Sequence, residues 1–199
     1  MKEQGVSIFW FRRDLRLEDN VGLFHALQSQ YPVIPLFIFD EDILDSLPKN
    51  DARVGFIHET LFGIDTKLKK IGSSLLVKKG KIVEVWRQLI QEYEICELLK
   101  TKQIQFFLFK DQVIFEENEI TKADGLPYTV YTHYKNKWLE KYQSIAPVFE
   151  YDTIEKLSNF CEINFAFPTL EKIGFEDSHI KVIPYNLKNV ANYHETRDF

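Results

Sequence analysis

What most restricts the fold open to this chain is an alternation that runs through its first half. Short apolar runs rich in β-forming residues (6–11, 33–39, 74–77 and 105–109) are separated by segments of helical period. Continuous apolar strands bury both faces, the condition of a parallel sheet covered by helices on either side. Asp19 is placed to cap a first helix that runs through Leu23 and Leu27. A second helix begins near Asp51, spaces Val54, Ile57, Leu61, Ile64 and Leu68 by threes and fours, and ends at Gly72. A third, over about 82–100, turns Val85, Trp86, Leu89, Ile90 and Tyr93 inward. The β-α-β-α-β-α-β order predicts an α/β fold: a doubly wound, mainly parallel, Rossmann- or flavodoxin-like sheet followed by an extended linker.

The pattern changes after Phe109. Residues 110–138 contain the turn signal Gly125-Leu126-Pro127-Tyr128, flanked by aromatic side chains. Residues 139–199 carry prolines at 147, 168 and 184 and a single helical stretch, 152–160. The expected organisation is therefore an α/β domain over 1–138 and a linker over 139–199. The last residues, 187–199, look helical and stop without a cap, as at the entry to a further domain.

Charge narrows the partners. With 25 Lys and Arg against 30 Asp and Glu, the net charge is −5. A chain that gripped DNA across its surface would be basic, because phosphate neutralisation supplies most of that affinity; only a local basic patch is open to this one. Cys96 and Cys161 stand far apart, as in a reduced cytoplasmic protein. The N-terminal apolar run is short and ends in arginines, so it is no secretory leader, and no apolar stretch is long enough to cross a membrane. The expectation is a soluble, cytoplasmic protein.

The densest polar cluster follows the first strand: Arg12, Arg13, Asp14, Arg16, Glu18 and Asp19. In an open α/β sheet the carboxyl ends of the strands border the ligand crevice. Arginines there suit a phosphate, a carboxylate or a planar ring. The competing reading is an ion-pair web that holds the loop. Asp40, ending the second strand, and Arg53, early in the second long helix, belong to the same edge. Trp10 and Trp86 read first as core. Other sites are missing: there is no Gly-x-Gly-x-x-Gly, no Walker lysine loop and no Gly-x-Ser-x-Gly elbow. The histidines at 25, 58, 133, 179 and 194 lack metal-ligand spacing, and His58 falls on the solvated side of its helix. These residues reach a ligand-binding α/β domain but no reaction.

The segment Ile8-Phe9-Trp10-Phe11-Arg12-Arg13-Asp14-Leu15-Arg16-Leu17-Glu18-Asp19-Asn20 closely resembles the opening strand and loop of DNA photolyases and cryptochromes. Pro35-Leu36-Phe37-Ile38-Phe39-Asp40, Arg53-Val54-Gly55-Phe56, Gly72-Ser73-Ser74-Leu75, Lys110-Asp111-Gln112-Val113, Pro127-Tyr128-Thr129-Val130 and Lys137-Trp138 follow in family order. So do 170–175 and Tyr193-His194-Glu195-Thr196-Arg197. The resemblance implies the light-harvesting domain of a deoxyribodipyrimidine photolyase, a flavoenzyme that splits pyrimidine dimers in DNA. The alternatives are a cryptochrome photoreceptor module and a stand-alone nucleotide- or chromophore-binding domain without catalysis. It implies an antenna chromophore (deazaflavin, FMN or FAD, or reduced folate) against Arg13, Phe37, Ile38, Asp40 and Arg53, with Trp10 and Val54 as neighbours. FAD and contact with dimer-containing DNA belong to the family's helical domain, which these residues do not include, so no catalytic residue and no metal is assigned here. The family's further strand and acidic loop are also missing before 104–109, and an omitted segment is expected near Glu94–Ile95. Thr132-His133-Tyr134 stands where the family has Thr-Pro-aromatic.

Overall fold

The computed structural model describes residues 5–92, 107, 109, 114–116, 118–145 and 150–180. At its centre is a parallel three-stranded sheet: β1 (Ser7–Phe11), β2 (Val33–Asp40) and β3 (Leu76–Gly80), in the order β1-β2-β3. Ser7 pairs with Val33 and Phe11 with Phe37, while Leu36 pairs with Leu76 and Asp40 with Gly80. Pairing to β3 begins only at Leu36, so Pro35, which has no N–H to give, stands outside that ladder.

Side-chain alternation along β2 divides the core. Val33, Phe37 and Phe39 pack with Leu23 and Leu27 of α1 (Val21–Leu27) and with Val54, Leu61, Ile64 and Leu68 of α3 (Ala52–Lys69). Ile34, Leu36 and Ile38 pack with Val85 and Leu89 of α4 (Ile82–Glu92), with Trp10 and Trp86 beside them. Every residue from Val33 to Phe39 is buried, as an apolar run without polar alternation requires. Consecutive parallel strands put α1 and α3 on one face, and α4 crosses to the other. The winding therefore reverses after β3, the mark of the doubly wound class. The short α2 (Glu41–Leu44) turns the chain at the carboxyl end of β2.

Several expectations are corrected. The cap of α1 is Asn20, whose Oδ1 accepts from Leu23 N at 3.0 Å. Asp19 has φ 47° and accepts from Tyr151 N at 2.9 Å instead. β3 starts at Leu76 rather than Ser74, because Ser74 and Leu75 are bonded elsewhere. Leu75 N donates to buried Asp65 at 2.9 Å, and Lys69 Nζ lies 2.7 Å from the other oxygen of that carboxylate. His58 is not solvated: its Nε2 lies 2.8 Å from Pro168 O and its ring meets Phe167 edge-on. Residues 131–144 form a helix, α5 (Tyr131–Ser144), where the turn-rich reading placed none. Of the expected fourth strand only Phe107 and Phe109 are described, and neither is in regular structure. The 94–95 junction, the far half of the third helix and residues 187–199 lie outside the described residues.

Residues 150–176 strap the sheet. A 3-10 turn, Ile154–Asn159, replaces the expected helix. Its last residue donates from Nδ2 to Leu27 O, Ser29 O and Tyr31 O at 2.8, 3.0 and 3.2 Å. Phe160 bridges to Val33, and Cys161 N donates to Val33 O at 2.8 Å. The chain then meets Ser74, whose hydroxyl donates to Ile163 O and accepts from Phe165 N. It passes α3 at His58 and reaches Lys49, whose carbonyl accepts from Glu176 N at 2.8 Å. Phe160, Ile173 and Phe175 are buried along the way.

Candidate functional site

The carboxyl ends of the strands gather Arg12 and Arg13 after β1, Asp40 to Asp42 after β2, and Gly80 and Lys81 after β3. α3 starts at this edge and runs back along the sheet, which brings Asp51 and Arg53 to it and leaves Lys67 toward the opposite edge.

The arginine cluster proves to be two structures. Its distal part is the ion-pair web. Arg16 reaches Asp14 at 3.2 Å and donates to Asp19 O at 2.6 Å, and Asn20 Nδ2 donates to Arg16 O at 3.2 Å. Lys67 Nζ reaches Glu18 at 2.9 Å, and this hydrogen bond holds the Glu18 carboxyl below its ordinary range. That contact folds the tip of the loop down against the last turns of α3, away from the carboxyl edge. Arg12 and Arg13, both exposed, stay at the edge.

Strand alternation separates those two as well. Trp10 and Arg12 share the α4 face, and the Arg12 guanidinium sits 5.1 Å from the Trp10 ring centroid. Trp10 meets Trp86 of α4 edge-on at 5.8 Å. A cation carried on a half-buried indole keeps its donors outward while its charge is partly compensated. Arg12 belongs to the polar cluster but not to the expected chromophore contacts, although its period of two from Trp10 places it on the same face. Asp40 caps α2, accepting from Asp42 N at 3.2 Å, and Lys81 Nζ stands 3.8 Å from Asp42. Arg53 makes a forked pair with Asp51 at 3.0 and 2.6 Å while 73% of its side chain stays exposed. This fork lowers the Asp51 carboxyl to about 2 and raises the guanidinium. Phe37, Ile38 and Val54 are only 7, 6 and 2% exposed, so they offer a ligand little side-chain surface. Among the described residues there is no cluster of three or more metal-ligating side chains. No described helix is long and apolar enough to cross a membrane.

The fold and this edge define an open, doubly wound α/β domain whose carboxyl edge is lined by arginines. Residues 7–102 match the family model described as DNA photolyase. Over 96% of its length the chain is 29% identical to a deoxyribodipyrimidine photo-lyase of Synechococcus sp., and it spans 45% of that protein. Over 46% of its length it is 37% identical to Cryptochrome-1 of Aedes aegypti, covering 18% of that protein. In structure it superposes on a bacterial class III photolyase from Agrobacterium tumefaciens with a TM-score of 0.60 and 22% identity, over 97% of this chain and 41% of that one. Over residues 7–102 the chain is similar to the DNA photolyase family, and its fold is that of the photolyase on which it superposes.

Proposed function

We propose that this chain is the light-collecting part of a deoxyribodipyrimidine photolyase. The carrying observation is the match of residues 7–102 to the DNA photolyase family on a sheet whose carboxyl edge presents Arg12, Arg13 and Arg53. A chromophore bound there would absorb near-ultraviolet or blue light and pass the excitation to FAD in the family's helical domain. The donor set suits a planar, partly anionic ring. Arg13 and Arg53 would donate to its carbonyl or anionic oxygens, and Asp40 would accept from a ring N–H. Trp10, with Arg12 above it, would supply an apolar wall, while Phe37, Ile38 and Val54 would back the edge and exclude water. In this reading the domain binds and orients a chromophore and breaks no bond. Residues 139–199 are its linker, and contact with dimer-containing DNA lies outside it.

The test is to titrate the 199-residue chain with reduced folate, a deazaflavin and FMN, following the absorption shift and the quenching of chromophore emission. One of the three should saturate at a single site, and Arg53→Ala should weaken it about tenfold, the worth of one charge-assisted contact. Absence of saturable binding by all three overturns the reading. The likeness to Cryptochrome-1 supports photoreception as the second reading. Repair of thymine-dimer DNA in light by a full-length protein that contains this domain separates the two.

A further inference from the structure

On the α3 side of the same sheet edge, two lysines point at one place. Lys79, next to last in β3, and Lys49, in the turn before α3, put their ammonium nitrogens 3.3 and 3.9 Å from the point a β-carbon on Gly174 would occupy. Gly174 has φ 85° and ends the 3-10 turn Glu171–Ile173, so the backbone leaves that space open. Lys49 Nζ also lies 5.5 Å from the centroid of the Phe175 ring, which fixes the approach of its stem. Lys67, Lys69, Lys81 and Lys137 each have a carboxylate within 4.0 Å, whereas among the described residues Lys49 and Lys79 have none. Thr169 holds the Glu171 carboxyl below its ordinary range.

Two ammoniums that converge on one open point, with no carboxylate of the described residues paired to either, repel each other until something neutralises both. A carboxylate on a ligand would satisfy one. A phosphoryl group carries about −1.5 to −2 charges at neutral pH and three acceptor oxygens, and matches both. We infer that Lys49 and Lys79 form a phosphoryl-binding subsite at the carboxyl edge of the sheet. Its ligand is a phosphate ester or pyrophosphate, either free in solution or as the tail of a bound nucleotide. Only the second source rests on the chromophore reading.

The experiment compares pyrophosphate, FMN and riboflavin on the 199-residue chain by calorimetry at low ionic strength. Riboflavin differs from FMN only in lacking the phosphate. The double variant Lys49→Gln/Lys79→Gln is set against Lys70→Gln/Lys135→Gln, which removes the same charge from two other exposed positions. The subsite requires pyrophosphate to bind about tenfold more weakly to the first variant and within twofold of wild type to the second. If the phosphate belongs to a nucleotide, FMN binds about tenfold tighter than riboflavin and the first variant erases that difference. If pyrophosphate shows the lysine dependence while neither flavin binds, the subsite stands with free phosphate as its ligand and a flavin at this edge is excluded. Flavin binding that ignores both lysines, together with equal pyrophosphate affinity in the two variants, overturns the subsite and leaves the chromophore reading intact.

Discussion

Helices α3 and α5 are of similar length, 18 and 14 residues, and are held in place by different means. α3 buries Val54, Leu61, Ile64, Asp65 and Leu68, and its first turn is capped by Asp51, which accepts from Arg53 N at 2.9 Å. α5 buries no residue, and its N-cap, Val130, makes no side-chain bond. Its contacts are local: Trp138 stacks on Tyr142 at 5.1 Å and meets Phe115 edge-on, while Lys141 donates to Glu119 O and lies over the Phe115 ring. Short helices without tertiary packing are marginal in water. α3 thus stands or falls with the sheet, and α5 with the small cluster around Phe115.

The sharpest way to break this contrast is to remove one leucine from each helix. Leu61 is 0% exposed and Leu139 is 41% exposed. Leu61→Ala should cost about 3 kcal/mol of global stability in urea, through lost transfer energy and the cavity left behind. Leu139→Ala should cost less than about 0.5 kcal/mol, as surface changes do. Similar losses would show that α5 is part of the same cooperative core. A smaller effect of opposite sign comes from giving α5 the cap it lacks. Val130 already has the extended backbone of a cap, with φ −113° and ψ 122°. Val130→Ser should stabilise α5 by about 1 kcal/mol, read as slower hydrogen exchange of its first-turn amides, and leave the global urea midpoint in place.

The least energetic test concerns the cap of α3. Because Arg53 holds the Asp51 carboxyl at about 2, below its ordinary 3.8, the folded state favours the carboxylate. Its contribution is fully present above about pH 3.8 and is lost as the pH falls through about 2. Carboxyl NMR should find the Asp51 midpoint near 2, and Arg53→Ala should move it up toward 3.8. An unchanged midpoint in that variant would place the cause in the helix terminus itself rather than in the fork.

The same contrast explains what could be read in advance. β1, β2 and α3 were legible because burial on both faces, or on one helical stripe, leaves a period in the sequence. α5 was not read, although Tyr131, Tyr134, Trp138, Leu139 and Tyr142 recur at helical spacing on one face: the Gly125–Tyr128 turn signal outweighed that period, and the face buries no residue. Asn20 lost to Asp19 in the reading because both residues suit a cap, and only the positive φ at Asp19 decides between them. At the edge of the sheet Arg13, Asp40 and Arg53 could be placed by counting from strand ends. Lys49 and Lys79 could not, since their convergence depends on where the strap brings Gly174, nearly a hundred residues beyond Lys79.

That strap has a consequence in time. Asn159 closes onto Leu27 across 132 residues, and Thr153 closes onto Leu17 O across 136. Contacts of such long sequence separation carry the entropy of closing the whole intervening loop, and they slow folding. During synthesis β1, β2 and β3 exist long before Phe160 does, and until it arrives Val33 lacks the partner that shields its end of the sheet. The nascent domain would pass through a stage with that end of its central strand uncovered, the kind of surface chaperones hold. Its assembly is finished from the far end of the chain, not where the sheet begins.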